Sequence, residues 1–191
     1  MRKIMLENIG ISYNNHRVLH DLSFTFEENE VYILTGASGK GKTTLLKILM
    51  GLITPDAGKV SLPKGFRVTA AFQEDRLLPE LSAVENLLFA LPRGCRKDRA
   101  EAERFLGEIL PSEAFFKKPA ELSGGMCRRV TVARALFAPS DAVVLDEPFA
   151  GLDDETAKQV SAFIKAYQDE RMLIIATHRP EFAPPGIPIM L

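Results

Sequence analysis

Apolar residues recur along this chain at two spacings, and the spacings divide it into strands and helices. Ile9, Ile11 and Tyr13 alternate with polar or small residues, the period of a half-buried strand. Leu22, Phe24 and Phe26 alternate again with Ser23 and Thr25, and Asn14-Asn15 supplies turn chemistry between them, so the two segments read as an antiparallel pair. Val31-Tyr32-Ile33-Leu34 is a short unbroken apolar run, as expected of a strand buried on both faces. Ala142-Val143-Val144-Leu145 and the run 172–176 repeat that pattern. Between these runs the period becomes helical: 45–49 is an apolar helical segment, Ala102, Phe105, Leu106 and Ile109 follow i, i+3, i+4, i+7 spacing, and Val160, Phe163, Ile164 and Tyr167 mark an amphipathic helix. Pro55, Gly58, Pro63 and Gly65 cut the intervening stretch into short strands and turns, and Pro111 and Pro119 interrupt the helical segment 82–137. The order predicts an α/β core with a largely parallel sheet, an antiparallel start and a helical insertion.

A chain of 191 residues fits one domain with a modest inserted lobe and can bury a core without disulfides or metals. Lys plus Arg is 24 against Asp plus Glu 25, a balance that argues against a nucleic-acid binder, which carries a basic excess. Cys95 and Cys127 are far apart in sequence and neither has a CxxC partner, so reduced cysteines are expected rather than a metal or redox pair. The N-terminus has no sustained apolar stretch of a secretory signal, and no apolar run approaches the ~20 residues that span a bilayer. Any role at a membrane requires spans from another chain.

Two features carry chemistry. Gly36-Ala37-Ser38-Gly39-Lys40-Gly41-Lys42-Thr43 fits G-x-x-x-x-G-K-[ST], between an apolar strand and an apolar helix. Small residues let the backbone curl so that its N–H groups face phosphate oxygens, and the following helix adds its positive end. Lys42 is placed to reach the β- and γ-phosphates and Thr43 to ligate Mg2+, while Lys40 reads as a solvent-facing member of the loop. Asp146 and Glu147 end an apolar strand, where ligands of open α/β sheets bind. Asp146 is assigned to Mg2+ and Glu147 to the attacking water as general base. An acidic pair alone at a strand end is usually a surface turn; joined to the glycine-rich loop it completes a phosphoryl-transfer site.

With these two in order, Leu122-Ser123-Gly124-Gly125 resembles the signature of ABC-type ATPases. Further residues are similar to the family's motifs: Tyr13 as an aromatic that stacks on adenine, Gln73 in Phe72-Gln73-Glu74-Asp75 as the Q-loop glutamine, Ala150-Gly151-Leu152-Asp153 as the D-loop, and His178 as the switch histidine. The resemblance runs from Tyr13 to His178 and implies a P-loop NTPase core with a mainly parallel sheet, an N-terminal antiparallel β subdomain and a helical lobe inserted at about 76–137, in a single domain over 1–191. It implies ATP and Mg2+ as ligands. The nucleotide set is Tyr13, Gly36, Ala37, Ser38, Gly39, Lys40, Gly41, Lys42, Thr43, Thr44, Ser123, Gly124, Gly125 and Asp153; Thr43, Gln73 and Asp146 serve the metal, and Glu147, His178 and Gln73 serve catalysis.

The resemblance further implies that Ser123 and Gly125 complete the site of a second, head-to-tail cassette, so that two ATP molecules lie between two copies. The partners are integral membrane permease subunits, with a solute-binding protein in the full system. The location is the cytoplasmic face of the cell membrane, and no nucleic acid is involved. The segment 72–79 and Met126 most resemble importers of the nitrate, sulfonate and taurine group. A soluble assembly ATPase, as in iron–sulfur cluster assembly, is the alternative; a catalytically dead nucleotide binder is opposed by intact Lys42, Asp146, Glu147 and His178. The pattern departs from the family at Met126, Cys127 and Arg179, which stand where Gln, a basic residue and an acid are common.

Overall fold

A computed structural model describes residues 2–14, 16–37 and 39–191. The strands are β1 (Lys3–Tyr13), β2 (His16–Glu27), β3 (Val31–Thr35), β4 (Ala57–Ser61), β5 (Val68–Ala71), β6 (Ala142–Asp146), β7 (Met172–Ala176) and β8 (Ile187–Met190). The α-helices are α1 (Lys42–Leu49), α2 (Ala83–Phe89), α3 (Arg99–Gly107), α4 (Gly124–Phe137) and α5 (Asp154–Tyr167). They form a three-stranded antiparallel sheet in the order β2-β1-β4 and a five-stranded parallel sheet in the order β5-β6-β7-β3-β8.

The apolar runs occupy the centre of the parallel sheet because every second residue faces a different core. Val31, Ile33, Val143, Leu145, Leu173 and Ile175 pack into one core with α4, α5 and the helical lobe. Tyr32, Leu34, Ala142, Val144, Met172, Ile174 and Ala176 pack into the other, with α1 and the antiparallel sheet. An aromatic cluster lies on each side of the parallel sheet. Phe24, Phe26 and Tyr32 meet edge to face at 4.8–5.7 Å between centroids, and the Tyr32 hydroxyl accepts from the Glu27 N–H at 2.7 Å. Phe105, Phe137, Phe163 and Tyr167 join α3, α4 and α5 at 4.5–5.1 Å. Such pairs contribute roughly 0.5–1.5 kcal/mol beyond the area they bury.

In the helical insertion, Ser82 with Glu85 and Asp98 with Glu101 form capping boxes that start α2 and α3. Ile109, expected as the last member of the α3 stripe, lies beyond the helix end but is buried. Pro111 precedes a single 3-10 turn, Ser112–Ala114, and Pro119 opens another, Pro119–Glu121. Two parallel strands escape the hydrophobic pattern. β5 is only four residues, Val-Thr-Ala-Ala. β8 is an edge strand containing Pro188, with Ile187 and Met190 exposed, so it has neither alternation nor β-rich composition. Asn15 and Ser38, the second turn residue and a loop position of the sequence reading, lie outside the described residues.

Candidate active site

Adjacent strand ends of the parallel sheet deliver the functional side chains to one edge. Leu145 of β6 pairs with Ala71 of β5, Asp146 with Ala176 of β7, and Leu34 of β3 with Ala176 on the other side. The residues that follow are therefore neighbours: Gln73 after β5, Glu147 after β6, His178 after β7 and the glycine-rich loop after β3. A cavity of about 310 Å3 opens there, lined by Tyr13, Val18, Gly39, Gly41, Lys42, Thr43, Thr44, Gln73, Glu147 and His178.

The loop has its shape because of its glycines. Gly41 caps α1 at φ 94°, and a Cβ there would lie 2.8 Å from Leu19 Cδ2 and 2.9 Å from Val18 Cγ1. Both the backbone conformation and the space exclude a side chain. Gly39, at φ 81°, has open space around it and needs glycine for conformation alone. Lys42 is 7% exposed, and its ammonium donates to the carbonyls of Gly36 at 2.7 Å and Ala37 at 3.3 Å. The charge is thus parked inside its own loop, where an anionic ligand can take over its donors.

Thr43 Oγ1 donates to Asp146 Oδ2 at 2.8 Å. Asp146 is 4% exposed, and burial raises its pKa, opposed by the Thr43 hydrogen bond and by the charges of Lys47, Lys42 and Arg128. A hydroxyl and a desolvated carboxylate side by side are hard oxygen donors of the type Mg2+ takes, and a divalent cation would offset that desolvation. The residues fit the ion.

Glu147 is held from several directions. Its backbone adopts φ 52°, uncommon for a residue with a side chain and costing about 1–3 kcal/mol, as functional sites often do. Its N–H donates to the Ala176 carbonyl at 2.8 Å, and its own carbonyl accepts from Ala150 N–H at 3.1 Å. His178 meets the carboxylate twice: its N–H donates to Oε2 at 3.1 Å, and its Nε2 lies 3.4 Å from Oε1. Oε1 is buried, and among the described residues it has no hydrogen-bond partner. Tyr13, 45% exposed, lines the cavity.

Other residues of the sequence reading lie apart from this cavity. Ser123 caps α4, accepting from Met126 N–H at 3.2 Å, with Ser123 and Gly124 exposed and Gly125 half-buried under Leu152. Asp153 caps α5, accepting from Thr156 N–H and Oγ1 at 2.9 Å each, and these bonds hold its carboxyl below the usual range. Neither set is among the residues lining the cavity.

Two arginines that do not line the cavity support the site. Arg179 donates to the carbonyls of Phe149 at 3.3 Å and Leu152 at 2.7 Å, pairs with Asp154, and stacks on Phe182. The residue that replaces the family's acid therefore ties the loop after His178 to the loop after Glu147. Arg128 donates to the carbonyls of Phe72 and Gln73. In sequence, Arg128 on its helix reads as surface charge, and Arg179 stands out only as a departure from the family's acid, without its partners. Cys127 faces the Pro119 carbonyl at 3.6 Å, and burial raises its thiol pKa, as suits a packing residue.

The family model for ABC transporters matches residues 19–150. The aliphatic sulfonates import ATP-binding protein of Nocardia farcinica is 39% identical over 177 residues, 93% of this chain and 68% of that protein. The spermidine/putrescine import ATP-binding protein of Protochlamydia amoebophila is 35% identical over 179 residues, 87% of this chain and 48% of its own length. The chain thus spans about half to two thirds of these curated relatives. A dimeric ATP-binding cassette solved in a post-hydrolysis state with ADP and Pi superposes with a TM-score of 0.87 at 27% identity, over 98% of this chain and 94% of that one. The glycine-rich loop, Glu147 and His178 line one cavity on this fold, with Asp146 bonded to Thr43 beside it, and the chain belongs to the ABC transporter family as an ATP-binding cassette, an ATPase whose ligands are ATP and Mg2+.

Proposed function

We propose that this chain is the energy-coupling subunit of a solute importer, working as a head-to-tail pair on the cytoplasmic face of a membrane and driving separate membrane-spanning subunits. The observation that carries the reading is the division of the site. Lys42, Thr43, Gln73, Glu147 and His178 line one cavity, while Ser123 and Gly124 stand exposed at the start of α4, away from it. A helix N-terminus, with a capping hydroxyl whose own hydrogen can still be donated, suits a phosphate that another chain brings. Among the described residues no helix is long and apolar enough to cross a membrane, so the spans belong to a partner. The relatives named above are import ATP-binding proteins, the sulfonate one among them, which supports import as the direction.

The roles follow from chemistry. Tyr13 offers its ring to adenine. Lys42 exchanges its loop carbonyls for β- and γ-phosphate oxygens, and the loop N–H groups surround the same phosphates. Mg2+, when bound, neutralises charge that develops on those oxygens. Thr43, Gln73 and Asp146 would hold it. Glu147 accepts a proton from the attacking water, and His178 keeps its carboxylate oriented while donating to the γ-phosphate. Asp153 and its loop lie at the contact between cassettes. Closure of the pair excludes water and strengthens each of these interactions.

The lobe supplies the docking surface. Leu87 is buried, Leu77, Leu78, Leu81 and Leu88 are half-buried, and Phe89 at the end of α2 is 69% exposed, a large apolar side chain left for a partner. A pull-down of the tagged chain from detergent-solubilised native membranes tests the reading. A stoichiometric polytopic membrane protein and, in the full system, its solute-binding protein are expected. Soluble partners alone would replace this reading with an assembly ATPase, such as one for iron–sulfur clusters.

A further inference from the structure

The segment 72–76 leaves the parallel sheet at the end of β5, and four of its carbonyl groups find their donors on a single helix, α4. Arg128, 8% exposed, donates through Nη1 to the Phe72 carbonyl at 2.8 Å and through Nη2 to the Gln73 carbonyl. Thr131 Oγ1 donates to the Asp75 carbonyl at 2.9 Å. Arg134 donates to the Arg76 carbonyl at 3.0 Å and the Asp75 carbonyl at 3.4 Å. Residues 128, 131 and 134 are spaced three apart and form one stripe along the helix. The Asp75 carboxylate lies 3.3 Å from Arg128 Nη1 and balances the desolvated guanidinium. The planar fork of an arginine meets the two successive carbonyls with a preset pair of donors, a geometry that the flexible ammonium of a lysine does not fix.

Gln73 has an exposed side chain that lines the nucleotide cavity, yet its backbone carbonyl is gripped by the helix that begins at Ser123. We propose that Arg128, with Asp75 as its counter-ion, is a positioning residue for Gln73, holding the glutamine side chain in the cavity from the second turn of the signature helix. The assignment rests on the reading of Gln73 as a ligand of the Mg2+·ATP complex. Arg128 touches neither nucleotide nor metal; it acts through the backbone of residues 72 and 73. Motion of α4 then moves Gln73 with it, so the side chain that meets one nucleotide in its own chain and the helix start offered to another are mechanically one piece.

The test measures nucleotide binding by the purified chain, with and without Mg2+, alongside melting temperature. Arg128→Met is expected to raise the Mg2+ concentration for half-maximal tightening of ATP binding by about tenfold, the range typical when a supporting group is removed. Binding of Mg2+-free ATP should stay within about twofold of the parent, since Lys42 and the loop are untouched. Asp75→Asn should show a smaller change in the same direction, and Arg128→Lys should recover part but not all of the loss. Gln73→Ala should show the full loss, and Gln73→Ala combined with Arg128→Met should be no worse than Gln73→Ala alone, because both act through one side chain. Losses that multiply in the double variant, or an unchanged Mg2+ requirement in Arg128→Met and Asp75→Asn while Gln73→Ala is impaired, overturn the proposal. An unchanged requirement in Gln73→Ala overturns instead the reading of Gln73 on which it rests. If Arg128→Met does not fold, Arg128→Lys and Asp75→Asn decide by the same comparison.

Discussion

The Thr43 hydroxyl donates to Asp146 Oδ2 at 2.8 Å, joining the start of α1 to the end of β6. This neutral donor and the charges of Lys47, Lys42 and Arg128 only partly offset the lost hydration of the buried carboxylate. Burial accordingly holds the Asp146 carboxyl above the ordinary value of 3.8. A carboxyl raised in this way binds more protons in the folded than in the unfolded chain between 3.8 and its raised value. Stability therefore falls as pH rises through that window and stays lower above it. Asp146→Asn removes the charge and leaves an oxygen to accept from Thr43. It should raise the melting temperature of the nucleotide-free chain at neutral pH, with the gain shrinking as pH falls toward 3.8. Each kcal/mol moves the melting point of a chain this size by about 2–4 °C. The same variant should lose the extra stabilisation that Mg2+ adds to ATP. A lower melting point at pH 7, or a gain independent of pH, would show that desolvation is not the dominant influence on this carboxyl.

Glu147→Gln separates binding from turnover. The amide keeps an oxygen for the His178 N–H and removes the ability to take a proton from water. Loss of a positioned general base costs about 100- to 10,000-fold in rate, while Lys42, Thr43 and the loop N–H groups still hold ATP. Turnover should fall by that factor, with ATP retained and the paired form of the chain accumulating on size-exclusion chromatography in ATP and Mg2+. Hydrolysis at the parent rate would refute Glu147 as base.

What the sequence disclosed about this site depended on how local the physical requirement is. The loop at 36–43 was legible because glycines at positive φ, a lysine and a threonine must follow one another in a fixed order. Asp146 and Glu147 were legible because an apolar run stops at them. Tyr13, Gln73 and His178 are ordinary residues one by one and became visible only through their order within the set. The cavity places these three with the loop. Arg128 and Val18 carried no such signal, and Arg179 showed only as a departure from the family's acid. The two arginines bond carbonyls between 27 and 56 residues away, and Val18 meets the site only because β2 passes beside Gly41. Pairings of that range are a property of the folded chain. β8 escaped for a similar reason: its place is fixed by its bonds to β3, and Pro188 and two exposed side chains conceal it in one dimension.

Arg179 gives a prediction in which two effects can be told apart. Its guanidinium satisfies the carbonyls of Phe149 and Leu152, and it also pairs with Asp154, which is 79% exposed. The exposed pair contributes little because solvent screens it. Unsatisfied carbonyls in a half-buried loop cost about 1–3 kcal/mol. Arg179→Met should therefore lower the melting temperature by several degrees and reduce kcat more than it changes KM for ATP, since the loop it holds adjoins Glu147 and His178. Asp154→Asn should leave both nearly unchanged. An Asp154→Asn chain as impaired as Arg179→Met would assign the effect to the ion pair instead.

Phe89 and Leu87 lie two residues apart on α2 and face opposite fates. Leu87 is fully buried in the lobe, and Leu87→Ala should destabilise the chain by about 2–5 kcal/mol, the cost of a core cavity. Phe89 is 69% exposed, and Phe89→Glu removes no packing, so the melting temperature and ATP binding should stay near the parent values, within about 0.5 kcal/mol of stability. If this side chain docks into a membrane subunit, an added charge at the centre of that contact must be desolvated without a partner, and association should weaken sharply. The check is recovery of the polytopic partner with the tagged chain from solubilised membranes, parent against Phe89→Glu, at equal expression. Undiminished recovery would place the docking surface elsewhere on the lobe and leave Phe89 an exposed side chain without a role.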